Sequence, residues 1–199
     1  GNWQAPILSE SLDFYNYARR TTPTLSLGNL SVGLREPVAI GIPHPAAETL
    51  PVGERRVEWV RVQPDQRILA NVAMGGIGLS IREGIQWQVV TDSEWLAKAN
   101  STTSNPEQSP VTEIQVEDLS NLDKVLTSIQ KAPATFLWSV PYGEDVVSRV
   151  RHVAAKLHQS GRSDILILNG STDQTPQGNM AVAARLGSLL VDGLGDMIS

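Results

Sequence analysis

The most constraining stretch of this chain lies at its end. Asp164-Ile165-Leu166-Ile167-Leu168-Asn169-Gly170, with four consecutive apolar residues at its centre, reads as a strand buried on both faces. From Gly178 to Asp196, the small residues Ala181, Ala183, Ala184, Gly187 and Ser188 mix with Val182, Leu186, Leu189 and Leu190 at three- and four-residue intervals. That spacing predicts an amphipathic helix able to press closely on a sheet. Gly193 is placed to end the helix in the left-handed region, and Gly195 allows a second tight turn before Met197 and Ile198 start another strand. Strand, helix, Gly-rich turn and strand make one βαβ unit, and the rest of the chain has to be arranged to receive it.

A length of 199 residues suits one domain with a substantial core. There is no cysteine, so the chain carries no disulfide, no thiolate nucleophile and no cysteine-ligated metal or cluster. A net charge of −5 with scattered Lys and Arg lacks the basic footprint of a nucleic-acid binder. No apolar run approaches the ~20 residues that span a bilayer, and no signal peptide is evident. The expectation is a cytoplasmic globular piece that binds neither nucleic acid nor membrane. Without an initiator Met, and with its last strand reaching Ser199, it reads as excised from a longer polypeptide.

Residues 1–16 are weakly patterned and read as an N-terminal arm; residues 17–199 read as a single domain. Thr24-Leu25-Ser26-Leu27 and Leu30-Ser31-Val32 flank Gly28-Asn29, which predicts a β-hairpin with a two-residue turn. Strands follow at 38–42, 57–62, 68–73 and 85–90, with a helical turn or two at 46–56 limited by Pro51 and Gly53. Asp92 is placed to N-cap a helix over 93–99. Residues 100–110, almost wholly Asn, Ser, Thr, Pro, Glu and Gln, read as a mobile loop. A strand at Ile114 and Val116, a helix opened by Ser120, a strand over 135–140 and a helix over 145–159 stopped by Gly161 complete the pattern. Alternating strands and helices imply a parallel sheet with crossover helices. Up to eight strands with weak or missing helices predict an α/β fold, an incomplete or distorted TIM-barrel-like (β/α) domain, with an open doubly wound sheet as the alternative.

Few residues suggest chemistry. Gly75-Gly76-Ile77-Gly78 resembles a phosphate cradle, but Ile81 breaks the dinucleotide pattern, so a connecting turn is the simpler reading. Asn169, Gly170, Ser171 and Thr172, with Asp173, follow a strand where α/β ligand sites are built, and their amides and hydroxyls are candidates for anion binding. A plain polar loop is the competing interpretation. His152 and His158 lie six apart on one helix and cannot share a metal, while His44 sits between prolines. Glu144 and Asp145 read as helix-capping carboxylates, and Trp87, Trp95 and Trp138 as packing aromatics.

Two segments carry a family resemblance. Tyr17-Ala18-Arg19-Arg20-Thr21-Thr22-Pro23, the Gly28-Asn29 turn, and Pro37-Val38-Ala39-Ile40 resemble the opening of the barrel domain in 4-hydroxy-3-methylbut-2-enyl diphosphate synthase, the iron–sulfur oxidoreductase of non-mevalonate isoprenoid (terpenoid) biosynthesis. Residues 185–196, ending in Gly193-Leu194-Gly195-Asp196, are similar to that barrel's final helix and Gly-x-Gly-Asp turn. Val57-Glu58-Trp59-Val60-Arg61-Val62 also looks like its second strand. Together these cover about a quarter of the chain.

The family's catalytic strand-end motifs are missing. In their place stand Leu69-Ala70-Asn71-Val72-Ala73-Met74, Gln86-Trp87-Gln88-Val89-Val90-Thr91 and Leu168-Asn169-Gly170-Ser171-Thr172. No catalytic, cofactor-binding or metal-binding residue carries over, and the cluster-binding cysteines are absent. The resemblance therefore points to the domain inserted, in the long form of that enzyme, between the catalytic barrel and the iron–sulfur domain. It implies a structural role that positions one over the other, with those two domains of the same polypeptide as partners. The parent enzyme would hold a four-iron four-sulfur cluster and accept electrons from ferredoxin or flavodoxin. Two other functions stay open: a free-standing barrel enzyme binding a phosphorylated small molecule at residues 169–173, and a docking module for the electron carrier, which would need a basic patch.

Overall fold

The structure is a computed structural model, and it describes residues 22, 24–27, 30–33, 39–43, 59–63, 66–69, 86–100, 111–130, 136–171 and 175–199. Its framework is α/β. Five strands, β6 (Gln86–Thr91), β7 (Thr112–Gln115), β8 (Phe136–Val140), β9 (Ile165–Leu168) and β10 (Met197–Ile198), pair in sequence order and all in parallel. Four helices connect them: α1 (Asp92–Asn100), α2 (Leu122–Ile129), α3 (Val146–Gln159) and α4 (Pro176–Val191). Parallel neighbours need a crossover longer than a turn, and each of these strand pairs has its helix.

Register explains the two faces of this sheet. Val90, Ile114, Trp138 and Leu166 align across four strands and join the cluster formed with Leu122, Val125, Leu126 and Ile129 of α2, Val146, Val150, Val153 and Leu157 of α3, and Leu186 and Leu189 of α4. One residue along, Val89, Glu113, Leu137 and Ile165 align on the opposite face. There Trp87, Val111, Leu137, Ile165, Ile167 and Met197 form a second buried cluster. Strands β1 (Leu25–Leu27) and β2 (Leu30–Val32) pair antiparallel, and Val32 and Leu25 pack onto that second cluster.

The ladder also extends beyond the five strands. Strand β3 (Ala39–Pro43) pairs in parallel with β10 and with β4 (Trp59–Gln63). Strand β5 (Gln66–Leu69) runs antiparallel to both β4 and β6. This departs from an all-parallel expectation for a physical reason: only Pro64 and Asp65 separate β4 from β5, too few residues to cross over.

Helix ends follow local chemistry, with two corrections. Thr175 accepts from the Gly178 amide (3.0 Å) with Pro176 in the first turn, and Gly193 (φ +74°) closes α4 while Leu194 N–H donates back to Leu189 O (2.9 Å). Asp92, expected as the cap of α1, lies inside the helix. The cap is Thr91, whose Oγ1 accepts from the Glu94 amide (3.2 Å) while Glu94 Oε2 accepts from the Thr91 amide (2.9 Å), a reciprocal capping box. Ser120, expected to open α2, instead sits in a 3₁₀ turn (Leu119–Asn121) capped by Asp118, and Asn100 belongs to α1 rather than to the following loop. Residues 1–16, 46–56, 75–79 and 101–110 lie outside the described residues.

At the N-terminal ends of β8 and β9, Arg162 holds Asp164 through two bonds (Nε to Oδ2, 2.6 Å; Nη2 to Oδ1, 3.1 Å). Asp164 also accepts from Trp138 Nε1 (3.0 Å), and the Arg162 guanidinium covers the Phe136 ring. Asp196, just before β10, accepts from the Leu166 amide (3.0 Å) and from Thr22 Oγ1 (3.3 Å). Both carboxylates are buried, and both are hydrogen-bonded, as burial of charge requires.

Candidate functional site

In parallel α/β sheets the loops after the strand C-terminal ends carry the ligand sites, so that rim is the place to look. After β6, the buried Asp92 carboxylate accepts from the Glu117 amide (2.9 Å) and from Asn121 Nδ2 (2.7 Å), tying the start of α1 to the loop after β7. Arg149 of α3 donates to the carbonyls of Val116 (3.0 Å) and Glu117 (2.6 Å), fastening the same loop from the other side. After β8, Tyr142 accepts from Arg185 of α4 (2.8 Å), whose guanidinium lies over its ring. These polar groups brace one βα loop against the next.

The loop after β9 holds the sequence-derived candidates. Asn169 is buried and donates from Nδ2 to the Val140 carbonyl (3.0 Å). The Gly170 amide donates to the Ser199 carbonyl (2.7 Å), so it is already engaged by the neighbouring strand. A side chain at Gly170 would meet Ser199 O at 3.2 Å, Val182 Cγ1 at 3.2 Å and Leu186 Cδ1 at 3.3 Å, which ties this glycine to close packing against α4 and β10. Ser171 is exposed, and Thr172 and Asp173 lie outside the described residues. One buried side-chain atom, Asn169 Oδ1, has no partner. It is an acceptor, the wrong polarity for an anion.

A second polar constellation was not anticipated from the sequence. Glu113, fully buried on the sheet face away from the helices, accepts from Ser139 Oγ (2.6 Å) and from Trp87 Nε1 (3.1 Å). Strand alternation does set Glu113 opposite Ile114 and Val116. The same pattern, however, is produced by a residue facing solvent, so periodicity alone does not announce a buried carboxylate.

The other candidates stay dispersed. His152 is half-buried and His158 exposed on α3, and His44 lies outside the described residues. Glu144 and Asp145 are exposed; Asp145 occupies the cap position of α3 but makes no side-chain capping bond. Trp87 and Trp138 are fully buried, whereas half-buried Trp95 stands edge-on to Phe136 and donates to Ser128 Oγ (2.8 Å). Hydrogen bonds from the Ser120 amide, then its hydroxyl, hold the exposed Asp118 carboxyl below its ordinary pKa, which marks a turn cap. Among the described residues, no group of three or more His, Asp or Glu is placed to hold a metal, and no helix is long and apolar enough to cross a membrane. The thiolate donors of a four-iron cluster do not exist in this chain, so its residues do not fit that group. No family model, curated protein or solved structure matches the chain.

Proposed function

We propose that this chain is a non-catalytic structural domain of the long form of 4-hydroxy-3-methylbut-2-enyl diphosphate synthase: a TIM-barrel-like (β/α) insert with an N-terminal β-hairpin, positioning the iron–sulfur domain over the catalytic barrel. The observation that carries the non-catalytic part is the use made of the rim. Asp92, Arg149, Asn169, the Gly170 amide and Arg185 each bond to a neighbouring loop or strand. The bond from Thr22 to Asp196 supports the family reading, because it joins the two segments that carry the resemblance. The pairing of β3, β4 and β5 between β10 and β6 supports the barrel, and the β1–β2 pair supports the hairpin. In this reading the domain works by geometry: holding two groups in reacting position without touching them accounts for several kcal/mol of a barrier. The parent enzyme is cytoplasmic and takes electrons from ferredoxin or flavodoxin.

The test is turnover of the full-length enzyme carrying Ser171→Ala with Asp173→Ala, with folding checked by circular dichroism. Turnover close to the unmodified enzyme is expected. A fall of a hundredfold, about 2.7 kcal/mol of lost transition-state stabilisation, in a folded protein would place this loop in an active site and sink the proposal.

A further inference from the structure

Among the described residues, the parallel ladder runs one residue past β9. Ser199 N–H donates to Leu168 O (2.9 Å), and Gly170 N–H donates to Ser199 O (2.7 Å), which pairs Asn169 with Ser199 in extended backbone. Ile165 and Ile167 point to the sheet face away from the helices, so alternation carries Asn169 to that face at the C-terminal end. The bond from Nδ2 to Val140 O decides which terminal atom of this amide is oxygen. That oxygen is buried and unpaired, and buried acceptors in folded proteins find donors.

We propose that the C-terminal end of β9 binds a neutral, hydroxyl-bearing small molecule, with Asn169 Oδ1 accepting a hydrogen bond from one of its hydroxyls. A phosphate does not fit, because it would bring oxygen against oxygen while the Gly170 amide is already committed to Ser199. An ammonium does not fit either. A buried cation needs a paired charge, whereas Val140, Gly170 and Ser171 carry none, Ser199 O already accepts from the Gly170 amide, and the carboxylates of the adjoining loop, Glu144 and Asp145, are exposed. The position is held in place: Nδ2 fixes the amide plane, and the close packing at Gly170 fixes the backbone after it. The chain leaves the core directly after it, since Gly170 is half-buried and Ser171 exposed. The parallel-sheet rim is where such ligands are held, by a few placed polar groups. Nothing here depends on the parent enzyme, so this inference and the structural-domain reading stand or fall separately.

The experiment titrates the 199-residue chain with glycerol, D-ribose and myo-inositol, and separately with inorganic phosphate. The Asn169 side-chain amide is followed by NMR and the midpoint by thermal unfolding. At least one polyol is expected to move the amide resonance saturably in the millimolar range and to raise the midpoint. Phosphate should do neither, and Asn169→Leu should abolish the midpoint rise. Polyols also stabilise proteins by exclusion from the surface, so an equal rise in Asn169→Leu overturns the proposal. So does an unmoved amide with all three polyols, or a shift with phosphate alone. If Asn169→Leu does not fold, Asn169→Ser takes its place in the comparison.

Discussion

The two ends of the parallel sheet are built to different standards. At the N-terminal end, Asp164 is held by both arms of Arg162 and by Trp138, and Asp196 by the Leu166 amide and Thr22. At the C-terminal end, Asp92 is as well satisfied, yet three strands over, after β9, Asn169 keeps a buried oxygen with no donor. A bidentate ion pair under a sheet costs several kcal/mol to interrupt, because removing Arg162 leaves the Asp164 carboxylate buried without its charge partner. A half-satisfied amide costs far less, and its place can be spared for function. In barrel-like α/β folds generally, stability gathers below the strands and ligand contact above them.

Breaking the lower end should give the largest effect. Asp164→Ala removes the charge partner of Arg162 and leaves the Trp138 N–H without its acceptor, and about 3–5 kcal/mol of unfolding free energy should be lost in urea titration. A double-mutant cycle with Arg162→Met should then return a coupling above about 1 kcal/mol; a coupling near zero would show that the pair is solvated. Gly195→Ala should cost about 2–3 kcal/mol by the same measurement. Gly195 has φ +106°, and a Cβ there would lie 2.5 Å from Leu168 Cδ1, so strain and overlap act together.

The upper end should respond less. Asp92→Ala frees the Glu117 amide and Asn121, and about 1–3 kcal/mol is expected, with faster hydrogen exchange at the Glu117 amide. Asn169→Leu should change stability by less than about 1 kcal/mol in the absence of ligand, since one hydrogen bond is exchanged for relief of an orphaned oxygen. A loss comparable to that of Asp164→Ala would erase the distinction between the two ends.

How much of this was legible beforehand depends on the range of the cause. The strand over 165–168, the helix before Gly193 and the turn at Gly195 were readable, because periodicity and positive φ act within a few residues. The Thr91–Glu94 box was readable too, as a Thr-x-x-Glu spacing, but Asp92 drew the cap assignment on residue type alone. The loop after β9 was readable as a polar strand-end loop, but not the bonds its groups make. That Gly170 donates to Ser199, and that Asn169 donates to Val140, are facts about other strands.

By itself, then, the sequence determined which segments are strands or helices along most of the described chain and where the last helix must stop. It also excluded thiolate chemistry outright. Only the tertiary structure decided which polar side chains are buried. Glu113 and Ser139 alternate with apolar neighbours just as solvent-facing residues do, and Asp164 looks like any strand-end carboxylate until Arg162 and Trp138 close on it. Period-two and helical patterns report which face a side chain takes, whereas burial depends on what the rest of the chain sets against that face.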